Sequence, residues 1–362
     1  MAKLGDVCEV LNGFAFKSDQ YVESGIRIIR IANVQKGYIE DSSPAFCPMD
    51  SIEAKKYQLK ENDLLMSLTG NVGRVGLLTS NFLPAALNQR VACLRIKDSS
   101  TFEKAYLFHV LNSDFFEQKC IESANGVAQK NMSTEWLKEY EIPLPPLDEQ
   151  RRIAAVLDKV SGLIAKRREQ LDKLDELVKA RFVEMFGDPI KNEKGFPTIT
   201  GQDFFKLSNG KFVPENKRFD NGVPAYGGNG ISWYTDEILY HNDTIVVGRV
   251  GFQSGNVHLA KGPLWVTDNA MYISDYQSNK YNLLFLYALI EHINFTRFQD
   301  AGDLKKITQK PFMNMEYIMP TLAQQQEYVS FSMQTEKSKL TIQQSLDKLE
   351  VLKKALMQQY FG

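Results

Sequence analysis

The fold is decided by the stretch LDEQRRIAAVLDKVSGLIAKRREQLDKLDELVKARFVEMF, residues 147–186, which follows Ile142-Pro-Leu-Pro-Pro146. Apolar side chains recur every three or four residues in it. They therefore form one narrow stripe on one helix face, the pattern of a coiled-coil seam. Asp148 is the expected N-cap, and Gly187 with Pro189 ends the helix. About 38 helical residues would make a rod of roughly 57 Å. The predicted seam consists of Ile153, Leu157, Val160, Ile164, Leu171, Leu174 and Val178.

The end of the chain repeats this arrangement. When the numbering is shifted by 175, Pro145 falls on Pro320, Gln150 on Gln325, and Phe186-Gly187 on Phe361-Gly362. A repeat with so long a period indicates two copies of a larger unit, each a globular part followed by a long helix.

The second long helix is predicted over 322–362, with an apolar stripe mainly in its second half. A single helix with one narrow apolar stripe is marginal in water, so we expect the two helices to pair with each other. Antiparallel pairing is the simplest topology, because each helix leaves one globular part and must reach the other. The predicted seam positions here are Ile342, Leu346, Leu349 and Leu356.

Composition and charge narrow the class of protein. Over 362 residues, 24% charged and 43% hydrophobic side chains are ordinary for a soluble globular protein of two or three domains. Four cysteines and four histidines lack metal-ligand spacing, so we expect reduced thiols and no metal site. No leader and no membrane-length apolar run is found, which predicts a cytoplasmic protein. The net charge of −1 disfavours a strongly basic nucleic-acid binder but leaves local basic patches possible.

The two globular parts read as mixed α/β units that share a frame. Short apolar runs bounded by turn residues predict strands, and helices are expected over 103–120 and 280–295. Ser133 is the expected cap of one further short helix. The run from Asn62 to Met66 matches the run from Asn242 to Val246. We also pair Gly73-Arg-Val-Gly76 with Gly248-Arg-Val-Gly251, and Gly126 with Gly302.

No catalytic motif stands out. The chain has neither a phosphate-binding Gly-x-x-x-x-Gly-Lys loop nor the Asn-Pro-Pro-Tyr of amino-methyltransferases. The glycine clusters at 70–76 and 226–230 are predicted to be tight turns. Asp50, Glu53 and Lys55 give only a faint resemblance to the acidic-plus-lysine core of metal-dependent nucleases. We therefore expect a non-catalytic chain.

Nucleic-acid binding is the sharper hypothesis. Arg, Lys, Asn and Gln match base edges with paired donors and acceptors, and glycine-rich turns let backbone amides approach phosphates. Each residue alone is most simply a polar loop residue, but such residues recur at matching places in both copies. The candidates are Thr69, Asn71, Arg74, Asn88, Gln89, Arg90, Gln129 and Lys130 in the first copy, and Asn229, Tyr234, Arg249, Asn269, Lys305 and Lys306 in the second.

The whole chain resembles the specificity subunit of type I restriction–modification systems. The resemblance rests on Ile142-Pro-Leu-Pro-Pro-Leu-Asp-Glu-Gln150, on Leu171-Asp-Lys-Leu174 and on Phe186-Gly-Asp-Pro189; the second copy departs with Met-Pro-Thr-Leu-Ala-Gln-Gln325. It implies an α+β fold with an internal pseudo-twofold repeat. The implied domains are a target-recognition domain at 1–146, a central spacer helix at 147–189, a second target-recognition domain at 190–321 and a distal helix at 322–362. The two helices would form an antiparallel coiled coil.

The resemblance also implies partners. Each target-recognition domain would read one half of a split double-stranded DNA sequence. The helices would set the half-site separation and dock two methyltransferase subunits, which carry S-adenosylmethionine. Restriction/translocase subunits, with ATP and magnesium, would join for cleavage, and this chain itself would hold no cofactor.

Two alternatives stay open at this point. A two-domain scaffold could join proteins through its coiled coil without touching DNA. A self-sufficient nuclease would cut DNA in magnesium and would lose that activity when Glu53 is replaced.

Overall fold

The computed structural model describes residues 1–124, 131–300, 302 and 305–362. The chain divides into two compact units. Unit 1 contains Met1–Arg168 and Gln344–Gly362, and unit 2 contains Glu169–Gln343. Each unit therefore combines one globular head with one end of each long helix.

In its described residues, unit 1 holds nine strands, the start of the first long helix and the end of the second. Its strands are β1 Ala2–Lys3, β2 Cys8–Asn12, β3 Ile26–Ile29, β4 Phe46–Cys47, β5 Leu64–Ser67, β6 Val75–Leu77, β7 Ala85–Leu87, β8 Val91–Ile96 and β9 Glu141–Ile142. Its helices are α1 Leu4–Val7, α2 Ile52–Lys56, α3 Lys104–Leu111, α4 Asp114–Ser123, α5 Thr134–Glu139 and the first part of α6 Leu147–Phe186.

Unit 2 repeats that order of strands and ends with the second long helix. Its strands are β10 Thr198–Thr200, β11 Phe205–Asn209, β12 Val223–Gly227, β13 Gly230–Thr235, β14 Thr244–Gly248, β15 Val257–Ala260, β16 Trp265–Val266, β17 Ala270–Tyr276 and β18 Glu316–Ile318. Its helices are the last part of α6, α7 Leu283–Ile293, α8 Lys310–Asn314 and the first part of α9 Leu322–Phe361.

The sheets of the two units have the same topology. An antiparallel four-stranded sheet runs in the order β2-β8-β5-β6 in unit 1 and β11-β17-β14-β15 in unit 2. A three-stranded sheet runs β4-β3-β7 and β13-β12-β16, with β3/β7 and β12/β16 parallel. A two-stranded ladder, β1-β9 and β10-β18, closes each head beside the start of a long helix. The internal repeat read from the sequence is confirmed.

Several local predictions agree with the structure. The runs after Asn62 and Asn242 each lead into a central strand, β5 and β14, although the strand pairing shifts their predicted match by one residue. Ser133 caps α5, since its Oγ accepts a hydrogen bond from the Trp136 amide at 3.1 Å. Gly187 ends α6 with a positive φ of 72°. Gly126 lies outside the described residues.

The helix predicted over 103–120 is in fact two helices. The first ends at its C-cap Asn112, and Ser113 caps the second, because its Oγ accepts a hydrogen bond from the Phe116 amide at 3.1 Å. The side-chain oxygen replaces a helical backbone partner, so the chain turns between α3 and α4. Apolar spacing continues across this turn and hides it from a periodicity argument.

The prediction that Asp148 is the N-cap of α6 is wrong. The helix begins at Leu147, and the Pro146 carbonyl already accepts hydrogen bonds from the amides of Glu149 and Gln150. Asp148 lies in the exposed first turn, where its charge suits the helix dipole. In α9 the cap is Thr321, whose Oγ1 accepts from the Gln324 amide at 3.3 Å.

A buried glutamine joins each long helix to its head. Gln150 accepts a hydrogen bond from the Glu103 amide at 2.9 Å and donates to the carbonyls of Thr101 and Pro145. Gln325, at the position 175 residues later, accepts from the Asn282 amide at 2.8 Å and donates to the carbonyls of Lys280 and Pro320. Both glutamines are fully buried. One side chain thus holds the start of the long helix against the start of the head helix. The backbone partners of the two glutamines correspond one to one.

The far end of each long helix packs into the head of the other repeat. Phe186, at the end of α6, is buried in unit 2 with Phe285 and Tyr328. Phe361, at the end of α9, is buried in unit 1 beside Tyr106, with ring centroids 5.6 Å apart. Each head therefore packs against residues of both long helices.

The long helices run antiparallel within each unit. In unit 2, Asp175 pairs with Lys339 at 2.6 Å and Arg181 with Glu327 at 2.7 Å. The predicted seam lies on the inner face, where each of its residues is buried or half-buried. Ile153, Leu157, Val160, Ile164 and Leu346 are buried, and Leu171, Leu174, Val178, Ile342, Leu349 and Leu356 are half-buried.

The first half of α9 packs through aromatic and small residues instead of a leucine stripe. Tyr328, Val329 and Thr335 are buried, and Tyr328 lies edge-on to Phe182 with ring centroids 5.5 Å apart. Tyr328 and Val329 belong to the core of the unit 2 head, so this part of the helix is stabilised by the head. Among the described helices, none is long and apolar enough to cross a membrane.

Candidate nucleic-acid interface

Three separate segments meet at one end of the two inner strands, β5 and β8, of the four-stranded sheet in unit 1. The turn after β5 is joined to the loop before β8 by a hydrogen bond from the Leu68 amide to the Arg90 carbonyl at 3.0 Å. The Met132 amide donates to the Leu68 carbonyl at 2.9 Å, and Thr69 pairs with Asn131. We call residues 68–74, 88–90 and 131–132 the loop cluster of unit 1.

Unit 2 builds the same junction with the same hydrogen bonds. The Arg249 amide donates to the Asn269 carbonyl at 2.8 Å, and the Ile307 amide donates to the Arg249 carbonyl at 2.9 Å. Val250 pairs with Lys306, as Thr69 does with Asn131. We call residues 228–230, 249–256, 267–269 and 305–307 the loop cluster of unit 2.

Close contacts between glycines bring the β12–β13 turn into the cluster of unit 2. A Cβ on Gly248 would lie 2.9 Å from Gly228 Cα and 2.6 Å from the Gln253 carbonyl oxygen, so only glycine fits there. His258 on β15 also holds the turn, since its Nε2 lies 3.2 Å from the Gly228 carbonyl oxygen. Asn229 is exposed at the tip of the turn.

The hydrogen bonds also correct the pairing of the two Gly-Arg-Val-Gly motifs. The Gly73 amide donates to the Ser67 carbonyl, and the Gly255 amide donates to the Gly248 carbonyl. Gly248 is therefore the counterpart of Ser67, and Gly255 that of Gly73. The predicted pairing of Gly73 with Gly248 is wrong, because it matches one side of the turn with the other.

Most candidates of unit 1 lie in its loop cluster, with different exposure. Asn71, Gln89 and Arg90 are exposed, and Asn88 is half-buried. Arg74 is held in place, since its Nη1 donates to Gln35 Oε1 at 2.7 Å. Thr69 is buried and takes part through its backbone pairing with Asn131, so it does not present its side chain to solvent. Gln129 and Lys130 lie outside the described residues.

In unit 2, Asn229, Asn269, Lys305 and Lys306 are exposed within the loop cluster, and Arg249 is half-buried. Tyr234 is not part of this cluster. It lies in β13 opposite Pro224, four residues beyond the turn, and its backbone pairs with Phe219.

Both clusters are basic although the chain is almost neutral. The described part of the unit 1 cluster carries Arg74 and Arg90 with no carboxylate. The unit 2 cluster carries three cations, Arg249, Lys305 and Lys306, against the one carboxylate of Asp268. Each cluster therefore has a formal charge of +2, against −1 for the whole chain. A basic patch with exposed amide side chains can bind phosphates and base edges.

Sequence reasoning missed two features of the unit 2 surface. Phe252 projects from the turn after β14 and is 81% exposed. A cavity of about 150 Å³ lies beside Asn269, where the Arg218 guanidinium stacks 5.1 Å from the Trp233 ring centroid. The Thr267 Oγ1 at its wall has no hydrogen-bond partner among the described residues. The sequence does indicate the position of Phe252, because it follows the turn glycine Gly251 as Asn71 follows Gly70.

The four cysteines do not supply a nucleophile. All are buried and unpaired, and burial raises the pKa of the Cys8 and Cys120 thiols to about 12. Glu53 and Lys55, the weak nuclease candidates, lie in the short helix α2 with exposed side chains. Within the part of the chain that the structure describes, no group of three or more His, Cys, Asp or Glu could hold a metal ion.

These two heads, each with a basic loop cluster and joined by paired long helices, define a protein with two variable surfaces on a repeated frame. The family model of the type I restriction modification DNA specificity domain matches residues 1–175 and 193–352. The matches cover most of the chain, so the protein belongs to this family.

Individual relatives agree. The chain is 30% identical over 186 residues to the Type I restriction enzyme MjaVIII specificity subunit of Methanocaldococcus jannaschii, covering 49% of this chain and 43% of the relative. It is 23% identical over 283 residues to the EcoprrI specificity subunit of Escherichia coli, covering 73% and 69%. The matched stretch thus spans less than half of the MjaVIII subunit.

A solved structure shares the fold over the full length. The type I restriction-modification S subunit from M. genitalium superposes with a TM-score of 0.65, covering 99% of this chain and 95% of that chain. The sequence identity is 16%, so this likeness concerns the fold alone.

Proposed function

We propose that this chain is the DNA-recognition subunit of a type I restriction–modification complex and reads a bipartite double-stranded target, one half with each unit. One observation carries the proposal. The two loop clusters have the same backbone hydrogen bonds and the same formal charge but present different side chains. A shared frame with different exposed groups is what two readers of two different half-sites require.

We further propose that methyltransferase subunits dock on the long helices, one at each end. Large apolar side chains are exposed on these helices within each unit, which marks a protein-binding surface. They are Leu163, Val351 and Leu352 in unit 1, and Leu177, Val183, Met333 and Leu340 in unit 2.

In this proposal the chain is a non-catalytic cytoplasmic subunit that holds no cofactor itself. S-adenosylmethionine belongs to the methyltransferase subunits, and ATP with magnesium belongs to restriction/translocase subunits that join for cleavage. Partner subunits would supply much of the phosphate contact, because this chain is nearly neutral overall.

The first test is DNA binding by the full chain, alone and with its methyltransferase, on the target found by methylome sequencing. We expect a sequence-selective shift. Arg90→Ala should weaken it about 10-fold and relax specificity in one half-site only. Lys206→Ala is the matched control, because Lys206 is an exposed cation in β11 outside both clusters. No selective shift in either condition would favour a scaffold instead.

A second test exchanges residues 190–317 for the matching part of a relative. We expect the methylated sequence to change in one half only, because the unit 1 cluster is untouched. If both halves change together, the two units do not read separately.

A third test adds one heptad to α6 and one to α9. If the long helices set the distance between the half-sites, the tolerated gap should lengthen while both half-sites stay the same. An unchanged gap would show that the helices do not set the spacing.

A further inference from the structure

The turn after β14 holds an aromatic side chain at its most exposed point. Phe252 is 81% exposed, the highest exposure of any large apolar residue among the described ones. Gly251 and Gly255 flank it with positive φ angles of 87° and 89°, which gives the turn its tight shape. Single exposed apolar residues are common on protein surfaces, so exposure alone decides nothing.

The turn that carries Phe252 is rigidly held. The Gln299 side chain donates to the carbonyls of Phe252 and Ser254, and the Gly251 amide donates to the Lys305 carbonyl at 2.8 Å. Ser254 is fully buried under the turn. The ring is thus presented by a fixed backbone, which removes much of the entropy cost of placing it against a partner.

The surroundings of the ring are cationic. The Lys305 ammonium lies 5.2 Å from the ring centroid, and Arg249 and Lys306 belong to the same cluster. An aromatic ring among cations on a rigid turn suits a polyanion that also offers flat apolar surfaces. Duplex DNA has both properties, whereas a purely apolar protein partner would leave the three cations without counter-charges.

Unit 1 places a different residue at the same position. Asn71 follows Gly70, whose φ of 73° matches that of Gly251, and both turns close with the same pair of hydrogen bonds. Asn71 is a polar side chain that can read a base edge. At the equivalent point unit 2 offers only a ring.

We propose that Phe252 is a wedge that inserts at a base-pair step of the half-site bound by unit 2. This rests on the proposed function and goes further by naming how one half-site is read. Apolar wedges unstack a step and kink the duplex, and the extra contacts of the bent DNA offset that cost. Specificity then comes from how easily a given step unstacks, in addition to hydrogen bonds.

The test uses the full chain with its methyltransferase on the mapped target. 2-Aminopurine replaces adenines of the unit 2 half-site one at a time, and the adenine that becomes methylated is left unchanged. We expect its fluorescence to rise at one step on binding of the native protein and to stay low with Phe252→Ala. The affinity of that variant should fall about 10- to 100-fold, while Phe252→Trp keeps both properties.

Two controls separate the wedge from other effects. Phe115→Ala removes another exposed phenylalanine with a lysine over its ring, on α4 of unit 1, and should change neither signal. Thermal unfolding of Phe252→Ala should match the native protein, because the ring is exposed.

The outcomes divide cleanly. Unchanged affinity and unchanged fluorescence with Phe252→Ala would overturn the wedge while leaving the reader intact. A loss of affinity without any unstacking in the native complex would also overturn it, in favour of a surface contact. If the native complex shows no sequence-selective binding at all, the proposed function fails first, and the wedge with it.

Discussion

The starts of the long helices are alike in the two units, whereas the loop clusters differ in what they present. Gln150 and Gln325 make the same three hydrogen bonds to equivalent backbone groups. Asn71 and Phe252 occupy the same turn position, yet one is an amide and the other an aromatic ring. The difference separates residues that hold the frame from residues that meet a partner.

Physical chemistry explains why the two regions diverge unequally. A buried glutamine with three backbone partners cannot be replaced without leaving polar groups unpaired, which is costly in a protein interior. An exposed turn residue contacts only solvent in the free protein, so its identity costs the fold little. The comparison can therefore be tested by substituting equivalent residues of the two units and measuring the free energy of unfolding of each unit separately.

The largest effect is expected at the far ends of the helices. Phe186→Ala should lower the free energy of unfolding of unit 2 by about 3–5 kcal/mol, because a fully buried ring is removed. Phe361→Ala should lower that of unit 1 by less, since the ring lies next to the chain end and its surroundings can relax. Denaturant unfolding of variants that keep only Trp136 or only Trp265 reports each unit.

Those two tryptophans make the result decisive, because Trp136 lies in unit 1 and Trp265 in unit 2. If Phe361→Ala changed the Trp265 signal and left the Trp136 signal unchanged, the packing of the helix ends would be wrongly assigned. Phe212→Ala, which removes an exposed ring of unit 2, is the control and should change neither transition.

A smaller effect is expected at the starts of the helices. Gln150→Ala and Gln325→Ala should each cost about 2–3 kcal/mol in the corresponding unit, because a buried amide and two carbonyls lose their partner. Gln326→Ala is the matched control: it removes an exposed glutamine one residue away and should change stability by no more than about 0.5 kcal/mol. Equal effects of Gln325→Ala and Gln326→Ala would contradict the anchoring role.

A pH-dependent effect should distinguish the buried histidines of the two head helices. Burial lowers the pKa of both His109 and His292 from the usual 6.5. The unfolded chain then binds more protons than the folded one below that value, so stability is complete above about pH 6.5 and is lost as the pH falls. The histidines differ in their neighbours. His109 Nε2 lies 2.7 Å from Asp158 Oδ1, whereas the His292 ring stacks on the Phe182 ring.

Asp158 raises the pKa of His109 against the effect of burial, while Lys353 on α9 lowers it. Asp158→Asn should therefore make acid destabilisation of unit 1 steeper, as read by Trp136 between pH 7.5 and 5.5. Near His292, the Ala288 carbonyl and the Glu291 carboxylate raise the pKa, and the Lys179 backbone raises it while the Lys179 charge lowers it. Unit 2, read by Trp265, should be unaffected by Asp158→Asn and should lose its own acid slope with His292→Gln. An unchanged slope in unit 1 would mean that His109 does not titrate with unfolding.

The frame of the molecule could be predicted from the sequence because it rests on local, repeated signals. The spacing of Leu157, Val160 and Ile164 defines a helix face, and Pro145 with Gln150 marks the same junction as Pro320 with Gln325. The spacing of apolar residues indicates which helix face is buried, and the proline and glutamine indicate where the long helix begins. Both features belong to the repeated frame. The bounds of α6 and α9 were therefore predicted to within about two residues.

The details of the candidate site could not be predicted in the same way. Thr69 is buried because a distant segment at Asn131 pairs with it, and no local pattern contains that pairing. The register of the Gly-Arg-Val-Gly motifs failed for a similar reason: the turns differ in length by one residue, and only the hydrogen bonds between strands fix which glycines correspond. Phe252 has no hydrogen-bonding side chain, so a pattern of polar loop residues does not include it.

The smallest effect concerns a seam position at which the two long helices differ. Arg181 occupies the place that Leu356 takes in the second copy, 175 residues later. Its guanidinium pairs with Glu184 and Glu327, but its Nε is buried without a hydrogen bond among the described residues. Both carboxylates are exposed, so the two ion pairs contribute little, and a leucine would remove the buried unpaired Nε.

Arg181→Leu should therefore leave the stability of unit 2 unchanged within error or raise it slightly, measured by Trp265 unfolding. Arg168→Leu is the control, since Arg168 pairs with Glu350 on the exposed surface of unit 1 and such pairs contribute little. A clear loss with Arg181→Leu alone would mean that the charged group fixes how the two helices meet in unit 2. The seam would then depend on a polar contact at a position where the copies disagree, and the apolar stripe would not be sufficient to align them.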